Sequence, residues 1–144
     1  MNQPLRFDVT EKPHPEDIEF ILQQLLAFNR DRAGEGNFQQ LAIFLRDAGD
    51  RLAGGLIGST YWQWLYVDIL WIDETWRGQG YGHALLEAGE QEAVRRGCKY
   101  ACLDTFSFQA PEFYQQQGYV IFGELPNFPP GYSRFFLKKE LSPN

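Results

Sequence analysis

Apolar residues recur along this chain with two different periods. Ile18, Ile21, Leu22, Leu25 and Leu26 follow at helical spacing. Pro15 suits a first helical position, and Glu16 and Asp17 suit the positive end of a helix dipole. The spacing predicts an amphipathic helix over about 15–31, ended by Gly34 and Gly36. Leu85, Leu86, Ala88, Gly89 and Ala93 define a second helix over 83–96, closed by Gly97. Strand texture dominates elsewhere. Leu5 to Val9 alternates weakly and reads as a short first strand. Residues 41–46 and 51–61 follow, the latter loosened by Gly54, Gly55 and Gly58. Trp64 to Ile72 is apolar except for Asp68, which predicts a central strand buried on both faces. Tyr100 to Phe106 is another strand, and Pro111 to Gln117 a short helix ended by Gly118. Segments 119–124 and 134–141 are final strands, joined by a loop with Pro126, Pro129, Pro130 and Gly131.

The order of these elements predicts an α+β fold. Short connections favour antiparallel pairing of the early strands. The strand–helix–strand passage from 64 to 106 is a βαβ unit, so its two strands should be parallel. The expectation is a mixed, mostly antiparallel central sheet with one parallel crossover, flanked by helices. No linker or repeat divides residues 1–144, so one domain is expected.

Composition narrows the function classes. Hydrophobic residues make up 44% and charged residues 22% of the 144, which suits a globular chain and not a disordered one. No run approaches the ~18 apolar residues of a membrane span, and the first twelve residues do not read as a signal peptide. Two cysteines, Cys98 and Cys102, exclude a disulfide framework and favour a reduced, cytoplasmic setting. No histidine lies near them, so no metal site is expected. A net charge of −6 argues against nucleic acid as a partner.

Candidate chemistry concentrates in Arg77-Gly78-Gln79-Gly80-Tyr81-Gly82, between the apolar strand and the second helix. Glycines let the backbone turn sharply and let a ligand approach the main chain. Successive N–H groups and a helix N-terminus make such a loop an anion site, to which Arg77 adds a charge. A P-loop is excluded, because no Lys-Ser or Lys-Thr pair follows. The G-x-G-x-x-G dinucleotide pattern also fails at His83 and Leu85.

The loop resembles the R/Q-x-x-G-x-G/A signature of the GNAT family of N-acetyltransferases. Phe113-Tyr114 with Gly118-Tyr119 is similar to that family's FY-x-x-x-GF/Y segment, and element order agrees from about residue 4 to 141. The resemblance implies an acyl-CoA N-acyltransferase-like fold and acetyl-CoA as co-substrate. Residues 77–82, that is Arg77, Gly78, Gln79, Gly80, Tyr81 and Gly82, would hold its pyrophosphate. The strands 64–72 and 100–106 would part at their C-terminal ends, and the pantetheine arm would lie in that V beside Leu70, Trp71 and Ile72. Many members carry an asparagine where this chain has Ser107, whose hydroxyl can bond the cofactor or the local backbone.

Acetyl transfer to an amine needs a proton acceptor and a proton donor. Tyr114 is the donor candidate, and it also borders the cofactor. Asp68, conspicuous as the one charge in its strand, is the first candidate for the base, on the expectation that it is desolvated. Asp104, across the V, is the second. Asp73 and Glu74 read as caps of the turn. Trp62, Trp64, Tyr66, Trp71, Trp76, Phe106 and Phe108 are expected mostly in the core, with one or two lining an acceptor pocket. The 124–133 loop, with Phe128, is the candidate lid or wall of that pocket.

The resulting expectation is an N-acetyltransferase acting on a primary amine, of a small molecule, by direct transfer in a ternary complex. A protein N-terminal or lysine acetyltransferase and a non-catalytic acyl-CoA-binding or sensing domain are the alternatives. A structural glycine loop in an interaction module is a further rival. A homodimer is left open.

Overall fold

The structure, a computed structural model, describes residues 3–142. The chain divides into two compact units, Met1–Gly36 and Asn37–Asn144. The first contains one helix, α1 (Pro15–Ala33), with Pro15 in its first turn, Glu16 and Asp17 beside it, and Arg30 and Arg32 in the last. Gly34, at φ 82°, ends it and donates its N–H to the carbonyl of Arg30. The strand expected over Leu5–Val9 does not form; these residues carry no regular structure. Weak alternation gives no strand unless a neighbouring strand completes its hydrogen-bond ladder.

The second unit is built on a sheet of β1 (Gln39–Arg46), β2 (Leu52–Tyr61), β3 (Trp64–Ile72), β4 (Tyr100–Phe106), β5 (Val120–Pro126) and β6 (Ser133–Glu140). A short 3-10 turn (Glu74–Trp76) and α2 (Tyr81–Arg95) link β3 to β4. The six-residue α3 (Pro111–Gln116) links β4 to β5. Strand order is β1-β2-β3-β4-β6-β5. Only β3 and β4 are parallel; every other pair is antiparallel. β6 thus inserts between β4 and β5, and this places Arg134 beside the end of β4.

Core packing is aliphatic. Leu56, Leu65, Ala101 and Leu137 from the sheet meet Leu86 and Ala93 of α2, with Leu41, Val67, Leu103 and Tyr119 around them. Gly89 lets α2 approach closely, since a Cβ there would meet Leu56 Cδ1 at 2.9 Å. The aromatic core expected from sequence is absent. Trp62, Trp71 and Phe108 are exposed, and Trp64, Tyr66, Trp76 and Phe106 are half-buried. β3 is central but not buried on both faces. Leu65 and Val67 are buried, whereas Asp68, Ile69 and Trp71 are exposed. Branched and small side chains fill the space under α2, leaving the rings to the opposite face and the edges. No described helix is long and apolar enough to cross a membrane.

Candidate active site

The parallel ladder ends early. β3 and β4 pair from Trp64↔Tyr100 to Val67↔Leu103 and no further. β3 continues to Ile72 and β4 to Phe106, so the strands part into a fork. Its cause is visible on the other side of β3. There Ile57 pairs with Ile69 and Gly58 with Val67, so Asp68 is an extra, unpaired residue. Such a bulge bends its strand and increases its twist. Gly58 allows β2 to stay close at this point, because a Cβ there would lie 2.3 Å from the Tyr66 carbonyl oxygen. Beyond the bulge Leu70, Trp71 and Ile72 pair with β2 alone. Their β4-facing edge is open within the fork.

The glycine loop follows directly. Asp73 accepts from the Thr75 N–H at 3.1 Å and so caps the short turn, as expected. Gly78 and Gly80 adopt φ 77° and 88°, the left-handed region that a Cβ disfavours. A Cβ at either would meet nothing within 4 Å. Backbone conformation, then, and not crowding, demands glycine there. Gly82 instead faces the ring of Phe113 at 3.4 Å, which brings the start of α2 against α3. No hydrogen bond among the described residues takes up the backbone N–H groups of residues 78–83. Six successive donors are therefore left unclaimed at the positive end of a fifteen-residue helix. Arg77 folds back, its Nε donating to the Ile72 carbonyl at 2.8 Å, and ties the loop to the end of β3.

Tyr114 stands on α3. Its ring packs edge-on against Phe113 and Tyr119, at centroid distances of 5.1 and 6.1 Å. Tyr119 is buried and anchored: its hydroxyl donates to Glu90 Oε2 at 2.8 Å, and Lys139 donates to Glu90 Oε1 at 2.8 Å. Burial raises the pKa of Tyr114 above the ordinary phenol value, and no bonded partner contributes. The phenol is a protonated donor at neutral pH. His83 shares a hydrogen bond with Gln117 through Nδ1 and lies 3.3 Å from Glu87, joining α2 to α3.

The two carboxylate candidates part company. Asp68 is exposed on the bulge, contrary to the desolvation expected of it. Asp104 is half-buried and fully engaged. Tyr66 donates its hydroxyl to Oδ2 at 2.7 Å, Arg134 donates its Nε–H to Oδ1 at 2.9 Å, and Arg134 Nη2 lies 2.8 Å from the same oxygen in an ion pair. The Asp104 hydrogen bond, burial, and the charges of Asp104 and Asp68 push Tyr66 up to about 12. Ser107 turns toward its own chain: Ser133 donates its N–H to the Ser107 hydroxyl oxygen at 3.0 Å. The sequence offered Tyr66 only as a core or pocket-lining aromatic, not as a partner of Asp104, and Arg134 was not singled out. Tyr66 sits two residues before Asp68, a period-two signal. Arg134 gave none, because its place beside Asp104 depends on strand order.

Aromatic rings crowd the end of β4. Phe106 stacks on Phe108 at 5.4 Å and on Phe128 at 5.8 Å, and Tyr132 meets Phe108 edge-on at 5.1 Å. The Arg134 guanidinium lies over Phe106, Phe128 and Phe136. The 126–132 loop thus joins β4 in one wall. Away from the fork, a groove of about 820 Å³ runs between α2, α3 and the end of β6; it includes His83 and Glu90 but no predicted catalytic residue.

A fork in a mixed sheet, followed by a glycine loop opening a helix, defines a class of acyl-transfer folds. Residues 6–119 match the Acetyltransferase (GNAT) family, and the chain belongs to that family. It is 46% identical over 91 residues to a blasticidin-S acetyltransferase of Streptomyces morookaense, covering 62% of this chain and 67% of that one. It is 35% identical to the acetyltransferase Atu2258 of Agrobacterium fabrum, over 94% of this chain and 98% of the relative. An acetyltransferase structure from Bacillus cereus superposes with a TM-score of 0.85 at 32% identity, covering 93% and 98% of the two chains. The protein is an acetyltransferase.

Proposed function

We propose that this enzyme transfers acetyl from acetyl-CoA directly to a primary amine of a small molecule, with both substrates bound at once. The six unclaimed backbone N–H groups of residues 78–83, beside an open strand edge, carry the reading. They suit a pyrophosphate, and the β4-facing edge at Leu70, Trp71 and Ile72, where Arg77 already holds the Ile72 carbonyl, suits the amide-bearing pantetheine arm as an added strand. A backbone N–H on that edge would stabilise the thioester oxygen as it becomes negative. Residues 1–144 act as one acetyltransferase domain in this reading, since the family match runs through both units.

Tyr114 protonates the departing thiolate, and its burial keeps the proton available. Asp68 accepts the amine proton; its exposure gives it access to solvent and acceptor alike. Asp104, with both oxygens bonded, stands behind it. Phe106, Phe108, Phe128 and Tyr132 form the acceptor wall, where rings can cover an apolar body or face an ammonium. Similarity to a blasticidin-S acetyltransferase supports a small-molecule acceptor, as does a net charge of −6 for a cationic one. Free cysteines at positions 98 and 102 agree with a reducing, cytoplasmic setting.

The test is thiol release from acetyl-CoA across cationic small amines, peptide amines and neutral alcohols. Highest kcat/KM on small amines, falling with ionic strength, is expected. Preference for peptides would replace the acceptor class, and coenzyme A binding without turnover on any amine would leave a binding domain.

A further inference from the structure

The backbone ladder between β3 and β4 stops at Val67 and Leu103, yet the two strands are tied once more just beyond it. Asp104 is the first residue of β4 past the last rung. Tyr66 reaches it diagonally from β3, since its own partner across the ladder is Cys102. Arg134 reaches it diagonally from the opposite side, since its own partner is Phe106. One carboxylate is thus gripped by donors from both neighbouring strands, one set back from the fork and one toward its mouth. Arg134 is itself braced against Phe106, Phe128 and Phe136. The two ionic partners are only 28% and 16% exposed, so solvent competes weakly for these bonds.

We propose that Tyr66, Asp104 and Arg134 form a clamp that fixes how far β3 and β4 separate, and so sets the width of the slot that receives the pantetheine arm. The three are positioning residues. This inference rests on the proposed use of acetyl-CoA, and it deepens that reading by assigning the slot's geometry to side chains outside the glycine loop. A bulge alone bends β3 but leaves its separation from β4 free. The clamp removes that freedom at the first level past the last backbone rung.

The clamp acts on the arm and not on the phosphates, which belong to residues 78–83. Two ligands separate these contributions: coenzyme A, and 3′-phospho-ADP, which has the pyrophosphate but no pantetheine. Calorimetry on Tyr66→Phe should show coenzyme A Kd raised about tenfold, the scale of one hydrogen bond to a charged group. The Kd for 3′-phospho-ADP should stay within about twofold, below one such bond. Asp104→Asn keeps an acceptor for the Tyr66 hydroxyl and should lose less coenzyme A affinity than Asp104→Leu. It also serves where Tyr66→Phe folds poorly. Unchanged coenzyme A affinity in folded Tyr66→Phe overturns the clamp. Equal losses for both ligands do so too, because they indicate general loosening. Wild-type protein that binds neither ligand overturns the acetyl-CoA reading itself and the clamp with it.

Discussion

The two sides of the fork are made of different material. On the proposed donor side, residues 78–83 present backbone N–H groups, set by two left-handed glycines and one helix start. On the proposed acceptor side, side chains from β3, β4, β6 and the 126–132 loop supply carboxylates, phenols and rings. A main-chain site recognises an invariant part of a ligand and survives many side-chain changes. A side-chain site can be re-aimed residue by residue. The contrast teaches that pyrophosphate affinity and reaction chemistry should respond to separate substitutions, with the Tyr66–Asp104–Arg134 clamp acting on the pantetheine arm alone.

The largest expected effect tests that separation. Tyr114→Phe should lower kcat by about 10²–10⁴-fold, the usual worth of a general acid. Coenzyme A affinity should stay close to wild type, as the ring still packs on Phe113 and Tyr119. An undiminished kcat would reduce Tyr114 to packing. Gly80→Val attacks the other side. Forcing a β-branched residue to φ 88° costs roughly 1–2 kcal/mol, or about five- to thirtyfold in coenzyme A affinity. Equal affinity in the folded variant, read by calorimetry, would erase the main-chain site.

Asp68→Asn should flatten the acidic limb of the pH–rate profile while leaving coenzyme A affinity intact, because an amide cannot take the proton. Retention of that limb would move the base elsewhere. A smaller effect concerns stability. The folded pKa of Tyr66 is raised to about 12, above the ordinary ~10. The folded state holds that proton more tightly. The stabilisation is complete below about pH 10 and fades as pH rises toward the folded value. Urea unfolding should show wild type losing its advantage over Tyr66→Phe across that window; a constant gap would mean that the phenol is not linked to folding. Smallest of all is Gly82→Ala. Its Cβ would meet Phe113 at 3.4 Å in ordinary helical backbone, so coenzyme A affinity should change by no more than about twofold. A tenfold loss there would show the loop to be less tolerant than a main-chain site should be.

The local elements of the proposed donor side were legible in the sequence. The loop's glycines, the βαβ passage and the Tyr114 segment are local, and local backbone demands leave local residue signatures. The bulge was half legible: Asp68 stood out as a charge in an apolar strand, but the pairing of Gly58 with Val67 left it unpaired, and it is exposed. Burial of the aromatic residues was misjudged, because ring count says nothing about which face of the sheet the helix covers.

The chain by itself determined where helices and strands lie in residues 37–142, that β3 and β4 run parallel, and that a glycine loop opens α2. Periodicity, capping residues and connection length encode those features within a few residues of each other. Tertiary structure alone decided that β6 enters between β4 and β5, that Arg134 meets Asp104 thirty positions away, and that Ser107 bonds Ser133. It also decided that Leu5–Val9 forms no strand. Each of these depends on which strand finds which neighbour, a choice made by the packing of the whole sheet and written in no single segment.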